Sequence, residues 1–363
     1  MTDLNASNNV ETQKEFTLRL ANIVGDGLLC VSIAMGIETG LFQTMIDLKE
    51  EHKTTQEIAD AGDFKERYVR EWLGSQVAAK IVEYDPKDGT YWLPLQRYVV
   101  AGTVKASAMT RAIPNLCAAF FDVAKCFKKD GPRGVSYDKY AHFDELMAGM
   151  NQEFFNDCLI QSFLPSMPKL HQQLQDGIKV LEIGCSQGMS TRIIAQNFPN
   201  SQVYGIDITE SGIKEAQEKA TEAGLGNVHF IFMSATVLPS DWSETFDYVF
   251  VHNVLHDLPY PMKSLHEIMR VLKKGGTLSV IDTATYSKLE DNVAKIPTFA
   301  RNCYVLSMMN CVPTSLNNVD GAGLGAMWGR EKAQEMMKAA NFDIISISSI
   351  PKSTSLHYQC QKM

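Results

Sequence analysis

The chain has 363 residues, 45% of them apolar, with 34 basic and 42 acidic side chains for a net charge of −8. That length holds two domains, one large enough for a full α/β core. The acidic balance argues against a general nucleic-acid binder and leaves room only for a local basic patch.

The opening MTDLNASNNVETQKEF is polar and lacks the basic-then-apolar order of a secretion signal. LLCVSIAMGI follows, about half the length of a bilayer span, between Asp26 and Glu38. It is expected to be a buried helix and not a membrane anchor. Residues 17–47 carry helical periodicity. In TTQEIADAG, Thr54 and Glu57 have the spacing of a capping box. FKERYVREWLGSQVAAKIVEY predicts a second helix running into a strand, and YDPKDGTYWLP a hairpin around a Lys-Asp-Gly turn. Helix, helix and hairpin outline a winged helix. Between Thr55 and Lys105 it has seven basic and eight acidic residues, and Glu66 and Glu71 lie on the would-be recognition helix. Phosphate binding wants the opposite sign, so a protein-interaction role is expected, with no DNA partner.

Residues 105–175 predict a helical connector rich in aromatics (AAFFDVAKCF, YDKYAHF, QEFF), most of them expected in packing and a few against a ligand. From Gly177 onward KVLEI, QVYGID, VHFIF, FDYVFV and TLSVID read as strands. TRIIAQNF, SGIKEAQEKATEAG and MKSLHEIMRVLKKGG read as the helices between them. This rhythm predicts a doubly wound, mostly parallel sheet covered on both faces. After Asp282 it is interrupted by an insertion over about 283–328, and FDIISIS and STSLHYQCQK close the chain. The expected domains are therefore 1–104, a connector 105–175, and an α/β domain 176–363. The insertion should govern specificity: FARNCYVLSMMNCVP suits a helix with an adaptable aromatic and Met wall. GAGLGAMWG has the glycines of a mobile lid.

In such sheets ligands bind beyond the carboxyl ends of the strands. Glu182 ends the first strand, with Gly184, Cys185, Ser186, Gln187 and Gly188 behind it. Glycines permit positive φ and close approach of a ligand to the backbone. Asp207 ends the second strand 19 residues after Gly188, a spacing that suits the ribose diol of an adenosine ligand. G-x-G-x-x-G does not fit, because Ser186 and Met189 stand where glycines are required. A nicotinamide dehydrogenase is disfavoured accordingly.

VLEIGCSQG, YGIDIT and FDYVFVHNVLHDLPYPMKSLHEIMRVLKKGGTLSVID together resemble the core of class I S-adenosylmethionine-dependent methyltransferases over about Lys179–Asp282. With the winged helix and connector, the chain resembles O-methyltransferases whose N-terminal domain dimerises. The resemblance implies a seven-stranded Rossmann-like sheet and S-adenosylmethionine as cofactor. It places Gly184, Cys185, Ser186 and Gly188 on the amino-acid part of the cofactor, with Glu182 beside them. Asp207 then meets the ribose hydroxyls, with Ile208 beside it among the cofactor-binding residues, Ser234 and Ala235 the adenine, and His252 the cofactor's surroundings. Two departures stand out: Ser186 replaces the usual middle glycine, which questions the loop's tightness, and Ser234 replaces the usual aspartate before Ala235. The family's base corresponds to His256, with Asp257 as its support.

Methyl transfer needs alignment more than covalent chemistry, and a hydroxyl acceptor also needs a base. The expected protein is a cytoplasmic, homodimeric methyltransferase acting on a small, largely apolar molecule, most readily at oxygen. The alternatives are an N- or C-methyltransferase, or a non-catalytic S-adenosylmethionine-binding regulator. No membrane partner is expected. The eight cysteines form no C-x-x-C pair, so neither a metal site nor a disulfide framework is expected.

Overall fold

The computed structural model describes residues 11–363 except 103–104, 141–150, 153 and 352. The polar residues 1–10, the AHF of YDKYAHF and the Glu of QEFF lie outside the described residues, and the expected boundary after residue 104 falls beside two of them. The chain divides into two compact units, Met1–Pro114 and Asn115–Met363.

The first unit is built from α1 (Gln13–Glu38), α2 (Leu41–Asp47), α3 (Thr55–Ala61), α4 (Glu66–Ala78) and a hairpin of β1 (Glu83–Asp85) and β2 (Thr90–Trp92). Helix α3 starts where the sequence says. Thr54 Oγ1 accepts from the Glu57 amide at 3.3 Å, and the Thr54 amide donates to Glu57 Oε2 at 2.7 Å. The hairpin closes through Gly89, whose φ of +65° only glycine adopts cheaply. Phe42, Ile58, Leu73 and Leu93 form the buried core. On α4, Arg67 pairs with Glu71 and Arg70 with Glu66, so its cations are already matched one turn away. The expectation that LLCVSIAMGI is buried holds in part: Ala34 and Gly36 are buried and Ile33 and Ile37 pack on the core, but Leu28, Val31 and Met35 are exposed, as are Phe16, Leu18, Leu20, Ile23 and Val24 on the same helix. By length and composition alone, α1 is also apolar enough to cross a membrane.

The second unit is organised on a seven-stranded sheet. Its strands are β3 (Lys179–Ile183), β4 (Gln202–Asp207), β5 (Val228–Phe232), β6 (Phe246–His252), β7 (Leu272–Thr283), β8 (Phe342–Ser349) and β9 (Ser355–Lys362), in the order β5-β4-β3-β6-β7-β9-β8. Strands β3 to β7 are parallel, and β9 runs antiparallel to both β7 and β8. The two-residue period of β3 sends Leu181 into one buried layer, with Leu265, Ile268 and Met337, and Val180 into the other, with Ile194, Phe198 and Phe250. Each such side chain stabilises the fold by roughly 1.5–3 kcal/mol. Helices α5 (Met189–Asn197), α6 (Glu210–Glu222), α7 (Pro261–Val271) and α8 (Gly329–Ala339) cover the sheet.

Two local expectations are corrected, and that for the connector's aromatics holds in part, with Tyr140 and Phe155 buried. VLKKGG does not finish the helix: α7 stops at Val271, and Leu272 already pairs with Phe246, a bulge and Gly275 (φ +76°) carrying the chain into register. Phe120, Phe121 and Phe127 of the connector are exposed, not packed. The insertion forms helices Leu289–Lys295, Pro297–Leu306 and Val312–Leu316, but a π-helical turn, Ser307–Cys311, breaks the expected single helix.

Candidate active site

Strand order reverses between β3 and β6, whose neighbours β4 and β7 lead away in opposite directions. The crevice opens there, at the carboxyl ends. The turn after β3 is tight despite Ser186. That residue adopts φ 47°, between Gly184 at 72° and Gly188 at 68°, and its amide donates to Asp207 Oδ2 at 2.8 Å. The hydrogen bond to the next strand's carboxylate holds a conformation that a third glycine would otherwise supply. The glycines themselves are needed from behind. A Cβ on Gly184 would stand 2.4 Å from Val254, and one on Gly188 2.4 Å from Phe230. That need comes from the packing of Val254 and Phe230 against the turn, which the sequence does not show.

Asp207 Oδ1 accepts the Thr209 amide at 2.8 Å. Each carboxylate oxygen thus spends one lone pair on backbone and keeps one, enough for the two hydroxyls of a ribose diol. Glu182 is buried, its oxygens accepting from Ser190 Oγ and Thr191 Oγ1 at 2.5 Å. Burial raises its carboxyl to about 7 against those two hydroxyl donors. It anchors the first turn of α5 through Ser190 and Thr191.

Ile208 is exposed beside Asp207, and Cys185 is packed as a small buried thiol. After β5, Ala235 is buried, while the exposed Ser234 hydroxyl bonds Thr236 Oγ1 at 2.8 Å. His252 closes β6 and stacks on Phe154 with centroids 5.2 Å apart. His266 is exposed, away from this edge, and Glu267 and Arg270 pair at 2.8 Å.

His256 is 5% exposed. Its Nδ1 lies 2.7 Å from Asp282 Oδ1, and Nε2 lies 3.4 Å from Asp257 Oδ1. Asp282, at the end of β7, is fixed in turn by the Thr283 amide at 2.7 Å and the Trp328 indole at 3.3 Å. Burial alone would lower the imidazole's pKa, but the carboxylates of Asp257 and Asp282 outweigh it and hold His256 well above its ordinary value. Burial also raises Asp257, against the attraction of His256. Asp257 Oδ1 has no hydrogen-bond partner although it is buried. Tyr137, from the connector, packs beside this cluster; burial first, then the Asp257 charge, keeps its phenol protonated.

Sequence reasoning placed Asp257 as the support of His256, whereas the shorter bond goes to Asp282. The missed signal was an acid at a strand end, the same one that exposed Asp207. Nothing in the sequence marked Tyr137 or Trp328. The expected lid behaves otherwise: the Gly325 amide donates to the His256 carbonyl at 3.0 Å, the Ala322 amide to Pro259 at 2.9 Å, and Ala326 and Trp328 are buried. It is a wedge bonded to the loop after β6.

Residues 174–349 match the family model of a methyltransferase domain. The chain therefore carries a methyltransferase domain. Ahead of it, residues 27–102 match an Rv2258c-like winged helix-turn-helix domain. A demethylmenaquinone methyltransferase from Listeria monocytogenes is 38% identical over 113 residues, 31% of this chain and 47% of that protein. One from Anoxybacillus flavithermus is 33% identical over 112 residues, with the same shares of each chain. The chain thus spans about half the length of the curated relatives it matches. Among solved structures, a putative O-methyltransferase from Nostoc punctiforme superposes with a TM-score of 0.67 at 19% identity, covering 95% of this chain and 98% of that one. Human N-acetylserotonin methyltransferase, in complex with S-adenosylmethionine, gives 0.65 at 14%, covering 98% and 99%. At those identities the likeness shows the fold, winged helix and methyltransferase domain together.

Proposed function

We propose that the protein transfers a methyl group from S-adenosylmethionine to an oxygen of a small, largely apolar acceptor, and that it works as a cytoplasmic homodimer. The observation that carries this reading is the Asp207 carboxylate, which braces the Gly184–Gly188 turn and keeps two lone pairs for a diol. When bound, the sulfonium donor supplies an electrophilic methyl group. Asp207 would hold its ribose, the turn and the first amides of α5 its amino-acid part, Ile208 and Ala235 its adenine face, and His252 the far wall.

The residues after β6 handle the acceptor. A hydroxyl with pKa near 10 must lose its proton during transfer. The two carboxylates beside it raise the His256 pKa well above its ordinary value, which favours the imidazolium and weakens the ring as a base. The roles expected from the sequence are exchanged: Asp257 Oδ1, buried 3.4 Å from Nε2, takes the proton, and the His256 imidazolium stabilises the charge that develops. Asp257→Asn should lower kcat by about 10²–10⁴-fold on a phenolic acceptor, with donor affinity unchanged. Equal kcat would remove the residue from the reaction.

The homodimer is supported by the exposed apolar side of α1, and the cytoplasm by eight cysteines of which none is in a disulfide. The decisive experiment has two steps. Calorimetry should show binding of S-adenosylmethionine and none of NAD; acceptor pools are then screened for S-adenosylhomocysteine release and for products 14 Da heavier, about one methylene. Donor binding without any product would make the protein a regulator.

A further inference from the structure

His256 Nε2, an Asp257 carboxylate oxygen and Cys311 Sγ all lie within 4.8 Å of one another. They reach this point from two places in the chain: the loop after β6, and the last residue of the π-helical turn Ser307–Cys311. π-helical turns are rare and recur at functional sites. Asp257 Oδ1 is buried there without a partner. Asp282, bonded to Nδ1, holds the ring so that Nε2 faces Asp257 and Cys311. Asp282 is itself held by the Trp328 indole and the Thr283 amide. An imidazole oriented by a carboxylate behind it is how proteins prepare a histidine for a metal.

We propose that His256, Asp257 and Cys311 form a binding site for a thiophilic divalent cation, zinc above all. Nitrogen, oxygen and sulfur donors from three side chains, with a fourth position open, are the ligand set of a reactive zinc site and not of a closed structural one. Tetrahedral zinc holds such donors about 3.5 Å apart, so side-chain rotations of about an ångström complete the shell. The exchange balances. The cation displaces one proton from Sγ and one from Nε2, both released to solvent, so two positive charges leave and two arrive. The buried cluster keeps its charge, which makes the exchange cheap in a low-dielectric interior.

Occupancy has a consequence that rests on the reading above: a metal on Asp257 Oδ1 and Nε2 removes the group that takes the acceptor's proton. Zinc therefore inhibits methyl transfer.

The test needs neither donor nor acceptor. Full-length protein stripped with a chelator is titrated with Co²⁺, and the thiolate-to-cobalt absorption band is followed. One equivalent should bind, and Zn²⁺ should bleach the band. Cys311→Ser should abolish it, and Asp282→Asn should weaken binding by about 10–100-fold, with thermal melts confirming that both variants fold. No band in the wild-type protein, or a band that survives Cys311→Ser, overturns the site. In a separate arm, zinc-loaded protein should turn over at least tenfold more slowly, and EDTA should restore it. Full turnover in the loaded protein overturns the inhibition while leaving methyl transfer itself intact.

Discussion

Asp207 serves two masters, the backbone behind it and a diol in front. Asp207→Ala should therefore leave the Ser186 and Thr209 amides without acceptors and release the turn from its φ of 47°. Donor affinity should fall about 10–100-fold, the worth of one or two hydrogen bonds to a charged acceptor, as calorimetry can measure. Such a residue is legible in sequence because strand end, spacing and residue type agree. Asp282 meets two of those three conditions, but its partner His256 lies 26 positions earlier, and only the parallel pairing of β6 with β7 brings them side by side. His357 has no sequence signature at all. It is buried on β9, its Nε2 2.9 Å from Ser279 Oγ, and burial lowers its pKa to about 4. The unfolded chain takes up a proton near pH 6.5 that the folded chain refuses until about 4, so stability falls as pH drops through that window. Urea titrations should show a loss of about 2 kcal/mol from this group between pH 7.5 and 5. His357→Gln should flatten that part of the slope, and an unchanged slope would assign it elsewhere.

Elements were read best where a local chemical device sets their limits. The Thr54–Glu57 box starts α3, and Thr54→Ala should cost about 1 kcal/mol, which thermal melting can detect. The end of α7 was misread because Lys and Gly after an apolar run are ordinary helix-stop signals. Pairing of Leu272 with Phe246 takes over sooner, a long-range contact that no local signal reports. In the β3–α5 turn, Ser186 looked like a weakness and is instead held by Asp207. The vulnerable position is Gly188. Gly188→Ala combines a left-handed backbone with a Cβ driven against Phe230 and Ala216, and should destabilise the domain by about 2–4 kcal/mol. A loss of only a few tenths in chemical denaturation would mean that the loop relaxes freely.

On the scale of the molecule, the alternation of strands and helices exposed the α/β architecture, since covered parallel strands leave continuous apolar runs. The state of α1 did not follow from its sequence, because an apolar helix has the same composition whether it lies in a core or awaits a partner. Val24→Lys with Leu28→Glu places charges on its exposed side; light scattering should give the wild-type protein the mass of the proposed dimer and the variant that of a monomer, and an unchanged mass would put the contact elsewhere. The wedge 321–329 has a different bearing. Gly325 holds the His256 carbonyl and Trp328 holds Asp282, the carboxylate behind the His256 ring, so the wedge reaches that histidine once directly and once through its partner. Anyone grafting a foreign insertion onto this scaffold to accept new molecules would also retune the proton chemistry. On the proposed function, choice of customer and sharpness of the tool are inherited together.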